Sequence, residues 1–144
     1  MRIAPILAFA IVLFAACKKK HEILPDDAKQ VSRSDKTETD GVSLREYQFT
    51  VKDKSGVPQK FVCEAREFSN NESAALAAKK SIAERPQEEL KSQSAHFALS
   101  GRSVWLRAKE KLVWCMLATG RADELPVAME SIRALFMRHY REAA

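Results

Sequence analysis

Glycine is scarce in this chain, with four residues in 144. So few leave no loop to cradle a phosphate, and no G-x-G-x-x-G or G-x-S-x-G pattern occurs. Histidine and cysteine number three each, without H-E-x-x-H or C-x-x-C spacing, so no metal or dithiol motif is present. S-x-x-K is also missing. His21, His96 and His139 stand far apart and read as surface residues; Asp26-Asp27 and Glu88-Glu89 read as solvated charges. Nothing here selects a catalytic group. Charge of one sign does not dominate either: 24 basic and 19 acidic residues are scattered along the chain. Nucleic acid needs a concentrated basic stripe and is not an expected partner. Long apolar runs are absent but for one, Ile3–Ala16. At about 1.5 Å per helical residue it covers roughly 21 Å, short of the roughly 30 Å hydrocarbon core.

That run has a basic residue before it, Arg2, and ends in Ala15-Ala16-Cys17 followed by Lys18, Lys19 and Lys20. A basic end, a short apolar stretch and small residues at the cut make an export signal. Ordinary secretory cleavage wants a small residue three before the cut, where Phe14 or Leu13 would stand. Leu13-Phe14-Ala15-Ala16-Cys17 instead resembles the lipobox of bacterial lipoproteins, with Ala15, Ala16 and Cys17 matching and Phe14 in place of the usual Leu. The resemblance covers residues 1–17 only. It implies removal of residues 1–16, then diacylglyceryl and an amide-linked, palmitate-like chain on Cys17. This covalent lipid is the only non-protein group expected. Two or more chains make a stable anchor, and each following lysine adds about 1 kcal/mol near an anionic surface. Lys18 is not the Asp that favours inner-membrane retention in enterobacterial lipoproteins, so the sorting rule points to the periplasmic face of the outer membrane.

Losing Arg2 lowers the net charge from +5 to about +4, and the remainder is one domain long. Residues 18–41 hold few hydrophobes and no period, so residues 17–41 read as a lipidated cysteine and a disordered tether reaching roughly 25–30 Å. The domain is expected over 42–144.

Within it, 44–52 and 60–66 alternate as two strands around a turn with Gly56 and Pro58. Ser69-Asn-Asn-Glu72 is a capping-box pattern opening an Ala-rich helix that stops before Pro86. Residues 87–91 suit a short helical turn, and 96–99 a strand. Residues 103–107 and 112–118 form a second hairpin around Lys109-Glu110. Asp123 caps a last helix whose apolar face is Leu125, Met129, Ile132, Leu135, Phe136 and Tyr140. An offset of 52 residues lays Phe61-Val62-Cys63 on Val113-Trp114-Cys115, and Asn71-Glu72 on Asp123-Glu124. The expected fold is α+β: duplicated β-β-α units forming an antiparallel sheet with both helices on one face.

Cys63 and Cys115 occupy equivalent positions on apolar strand faces. An exported compartment permits a disulfide between them, with two free buried thiols as the other reading. A two-residue turn at Lys109-Glu110 sets Trp105 opposite Trp114. Ser103, Trp105, Arg107, Leu112, Trp114 and Met116 then share one face, and Val104, Leu106, Val113, Cys115 and Leu117 the core face. Trp105, Arg107, Trp114 and Met116 form the candidate partner-binding surface; the plainer role for the tryptophans is hairpin stabilisation. The expected protein is thus a non-enzymatic envelope lipoprotein that binds another envelope component. The alternative is a small periplasmic hydrolase or ligand-binding domain with a cleft between the repeats.

Overall fold

The computed structural model describes residues 22–119 and 125–144. Cys17, Lys18, Lys19, Lys20 and the predicted cap Asp123 lie outside them. Among the described residues are seven strands: β1 (Lys29–Thr37), β2 (Ser43–Lys52), β3 (Pro58–Glu67), β4 (Glu88–Lys91), β5 (Ala95–Ser100), β6 (Ser103–Ala108) and β7 (Lys111–Leu117). Helix α1 (Asn71–Ser81) follows β3, and α2 (Leu125–Ala143) follows β7. The strands make one antiparallel sheet in the order β1-β2-β3-β7-β6-β5-β4.

The two predicted hairpins form its centre. In the β2–β3 turn the Asp53 carboxylate accepts bonds from the amides of Ser55 and Val57 and from the side chain of Gln59. Gly56 supplies the positive φ that the turn requires. In the β6–β7 turn Ala108 pairs with Lys111, leaving Lys109-Glu110 as the two-residue connection. Trp105 therefore stands opposite Trp114, as the alternation predicts. β3 and β7 then pair with each other, bringing Cys63 directly across from Cys115, where a disulfide joins them at a Cα separation of 4.1 Å.

Strands β6 and β7 are apolar on both faces, which requires cover on both. On the disulfide face, Tyr47, Phe49, Phe61, Phe97, Val104, Leu106 and Leu117 meet Met129, Ile132 and Phe136 of α2. Arg133 reaches from α2 to Glu88 on edge strand β4 with a two-pronged ion pair. On the other face α1 lies over β6 and β7 with Ala74 and Ala78 fully buried. Its cap is Asn70, one residue beyond the start of the predicted box, whose Oδ1 accepts from the Ser73 amide at 2.8 Å.

The helices thus occupy opposite faces, correcting the expectation of one. A two-fold axis exchanging antiparallel neighbours such as β3 and β7 stands normal to the sheet and keeps related helices on the same face. The two-sided apolar character of β6–β7 prevents that arrangement, because one helix layer would leave Trp105 and Leu112 uncovered.

The tether expectation is also corrected from residue 22 onward. Residues 29–37 pair along β2 as an edge strand, with a bulge between Lys29 and Ser32. Ile23 is buried (8 % exposed), and Leu24, Ala28 and Val31 pack against the core. The Tyr47 hydroxyl holds this segment, donating to the Ile23 carbonyl at 2.8 Å and accepting from the Ile23 amide at 3.1 Å. Burial pushes the Tyr47 hydroxyl well above its ordinary pKa, so it stays a donor. The polar composition that reads as disorder is what an exposed edge strand carries to avoid sheet-to-sheet association. For the same reason Glu88–Lys91, read as a helical turn, is the opposite edge strand.

Two outcomes follow for stability. Tyr47→Phe strands both backbone groups of Ile23, so it should cost about 1–3 kcal/mol and speed amide exchange at Ile23 more than at Phe61. Cys63→Ala with Cys115→Ala opens a loop of sequence separation 52, which the chain-entropy relation values at about 4 kcal/mol; urea unfolding against the oxidised parent measures it.

Candidate functional site

The face opposite the disulfide carries the predicted binding residues. In register across β6 and β7, Ser103 meets Met116, Trp105 meets Trp114 and Arg107 meets Leu112. All six share a face, as expected. Helix α1 divides them. Trp105 (9 % exposed) and Arg107 (4 % exposed) are buried, while Trp114 and Met116 stay half-buried. Trp105 and Arg107 are therefore corrected from contact surface to interior.

Arg107 is a strut. Its guanidinium donates to Asn71 Oδ1 in the first turn of α1 and to the carbonyls of Ser92 and Gln93 in the β4–β5 turn. The acceptors are neutral, Nε is buried without a hydrogen-bond partner, and desolvation lowers the guanidinium pKa. A buried charge held this way positions α1 against the β4–β5 turn. Opposite it in register stands His96, with Nε2 2.8 Å from Glu89 Oε1. His96 is buried (9 % exposed), not a surface residue. Desolvation lowers its pKa against the opposing pull of Glu89. The alternation of strand β5 does not reveal this, since cover comes from distant segments.

What stays open is a shallow cavity of about 350 Å³ beside α1, lined by Glu64, Arg66, Ser81, Trp105, Leu112 and Trp114. Trp114 forms its apolar wall. Glu64 lies directly across from it on β3, and Arg66 pairs with Glu64 at 2.8 Å and with Glu38 at 3.3 Å. The cavity thus joins one aromatic face to an ion cluster of two carboxylates and one guanidinium. Such a surface suits a partner with an apolar anchor and a polar rim. Glu64 and Arg66 are the residues that sequence reading left out; a polar residue opposite an outward-facing tryptophan is the signal for them.

A second cleft of about 390 Å³ lies on the disulfide face, lined among others by Glu22, Ile23, Lys109, Lys111, His139 and Glu142. His139 Nδ1 sits 3.6 Å from Glu142 there, with its pKa lowered by burial. The two histidines occupy opposite faces of the sheet and each faces a glutamate. Among the described residues no group of three or more His, Cys, Asp or Glu could hold a metal ion, and no helix is long and apolar enough to cross a membrane.

Both histidines titrate below their unfolded value of about 6.5. The unfolded chain then binds more protons, so the stability they contribute is present above about pH 6.5 and is lost as pH falls through their folded-state values. The melting temperature should drop between roughly pH 7.5 and pH 5, and His96→Gln should remove part of that slope. No protein-family model, curated protein or solved structure matches the chain.

Proposed function

We propose that this chain is a non-enzymatic lipoprotein of the bacterial cell envelope that presents its sheet domain to another envelope protein. Lipid on Cys17, and a place on the periplasmic face of the outer membrane, rest on the signal-like residues 1–17 and on Lys18 in the second mature position. The buried disulfide supports an exported chain, because such bonds persist in oxidising compartments. The binding role rests on one observation above the others: Trp114 and Met116 stay only half-buried on the outward face of β7, whereas Trp105, Arg107 and Leu112 on the same face are buried. We read the contact surface as Trp114, Met116, Glu64 and Arg66. A hydrolase reading needs a nucleophile beside a histidine; the contacts of His96 and His139 with Glu89 and Glu142 would only orient the rings. The hairpins β2–β3 and β6–β7, matched at an offset of 52 residues, we read as copies of one unit whose helices diverged to opposite faces.

The test separates surface from core. Trp114→Thr with Met116→Thr should reduce crosslinked recovery of the partner from membranes at least tenfold while changing stability by about 1 kcal/mol or less. Trp105→Thr should cost about 3 kcal/mol, as a large core truncation does. Unchanged recovery in the first variant would sink the binding surface. Cys17→Ala should abolish acyl labelling and release the domain from membranes; retained attachment would sink the anchor.

A further inference from the structure

The path of the first described residues decides which end of the domain meets the bilayer. Glu22 is fixed on both sides: Arg33 Nε reaches its carboxylate at 2.9 and 3.0 Å, and Arg45 Nη1 at 3.3 Å. Its side chain is only 8 % exposed, and the paired guanidiniums hold the carboxylate below its ordinary pKa despite desolvation. Ile23 is pinned by Tyr47. Both line the cleft that opens beside the Ala108–Lys111 turn and the last turn of α2 at His139, Glu142 and Ala143. From there the chain runs along the disulfide face to the far end, where Lys29 pairs with Thr50. Glu22, the first described residue, therefore stands at the end formed by the β6–β7 turn and the C-terminus of α2.

We infer that this end lies against the membrane surface and that the β2–β3 turn at Asp53–Val57 points away from it. The inference rests on the proposed lipidation of Cys17. Five Cα steps separate Cys17 from Glu22, at most about 18 Å of chain in any conformation. Strand β2 alone, ten residues, extends roughly 30 Å. The leash is shorter than the domain it holds, so the point of exit and the point of anchorage cannot part by a domain length. Electrostatics add to this at the leash: Lys18, Lys19 and Lys20 lie in sequence between Cys17 and Glu22, and each lysine near an anionic surface adds about 1 kcal/mol. On the domain itself Lys109, Lys111 and Arg141 are largely offset by Glu110 and Glu142, so covalent reach carries more of the orientation than charge does.

The consequence concerns the partner. Trp114 is three residues beyond Lys111 on β7, roughly 10 Å along the strand from the membrane-facing turn. A protein that docks on Trp114 and Met116 must therefore lie at the bilayer surface itself. The membrane-proximal part of an integral or lipid-anchored protein fits; a component held a domain's length above the bilayer does not.

The experiment uses the full lipidated chain in phosphatidylethanolamine–phosphatidylglycerol vesicles carrying a headgroup nitroxide quencher. A fluorophore is placed at Glu142→Cys or at Ser55→Cys, both exposed positions; Cys63 and Cys115 are bonded to each other and take no label. Quenching at position 142 should exceed that at position 55 several-fold. A flexible insert of roughly twenty residues between Lys20 and His21 should bring the two to the same low value. Equal quenching at both positions without the insert, or stronger quenching at 55, in protein whose Cys17 acylation is verified by mass spectrometry, overturns the orientation and leaves the anchor standing. Absence of an acyl group on Cys17 overturns the anchor and the orientation together.

Discussion

The pairing of β3 with β7 is the contact on which the rest of this structure depends. It joins segments some fifty residues apart, places Cys63 on Cys115, and converts two local hairpins into one seven-stranded sheet. Without it neither hairpin has a face wide enough to bury, since an isolated two-stranded unit is marginal in water. With it, β7 becomes a central strand whose two faces both need cover. Each helix then has a place: α2 over the aromatic core on the disulfide side, α1 over Trp105 and Leu112 on the other.

A second, smaller constraint closes the core at its edge. Tyr47 lies in the middle of the buried face, and its hydroxyl needs partners there. Residues 22–28 supply them through both backbone groups of Ile23. The segment gains hydrogen bonds and apolar burial together, enough to order a stretch whose composition is polar. Arg33 and Arg45 then bracket Glu22, extending the order to the first described residue. Order thus reaches Glu22, well inside the stretch 17–41 that composition reads as a tether.

The tryptophan face shows how one strand pattern yields two roles. Trp105 and Trp114 are cross-strand partners with the same outward direction, so their sequence positions are equivalent. The line of α1 across β6 and β7 makes one a core residue and leaves the other at the rim of a cavity. Arg107 follows Trp105 into the interior, where it ties α1 to the β4–β5 turn. An arginine beside an aromatic residue thus reads the same whether it waits for a partner or holds a helix in place.

Local alternation was enough to define the β2–β3 and β6–β7 hairpins, the pairing of Trp105 with Trp114, the apolar stripe of α2 and a helix after residue 69. These depend on neighbours a few residues apart, where side-chain period and turn chemistry decide. The signal-like pattern of residues 1–17 is a reading of the sequence alone and lies outside the described residues. The edge strands β1 and β4 were not legible, because a strand paired on one side and wet on the other carries the polar residues of a loop. Nor were the opposite placement of the helices, the burial of His96 and Arg107, or the cavity walls Glu64 and Arg66. Those follow from which surface a distant segment covers, and cover is fixed only when β3 meets β7 and both faces of the sheet must be buried at once.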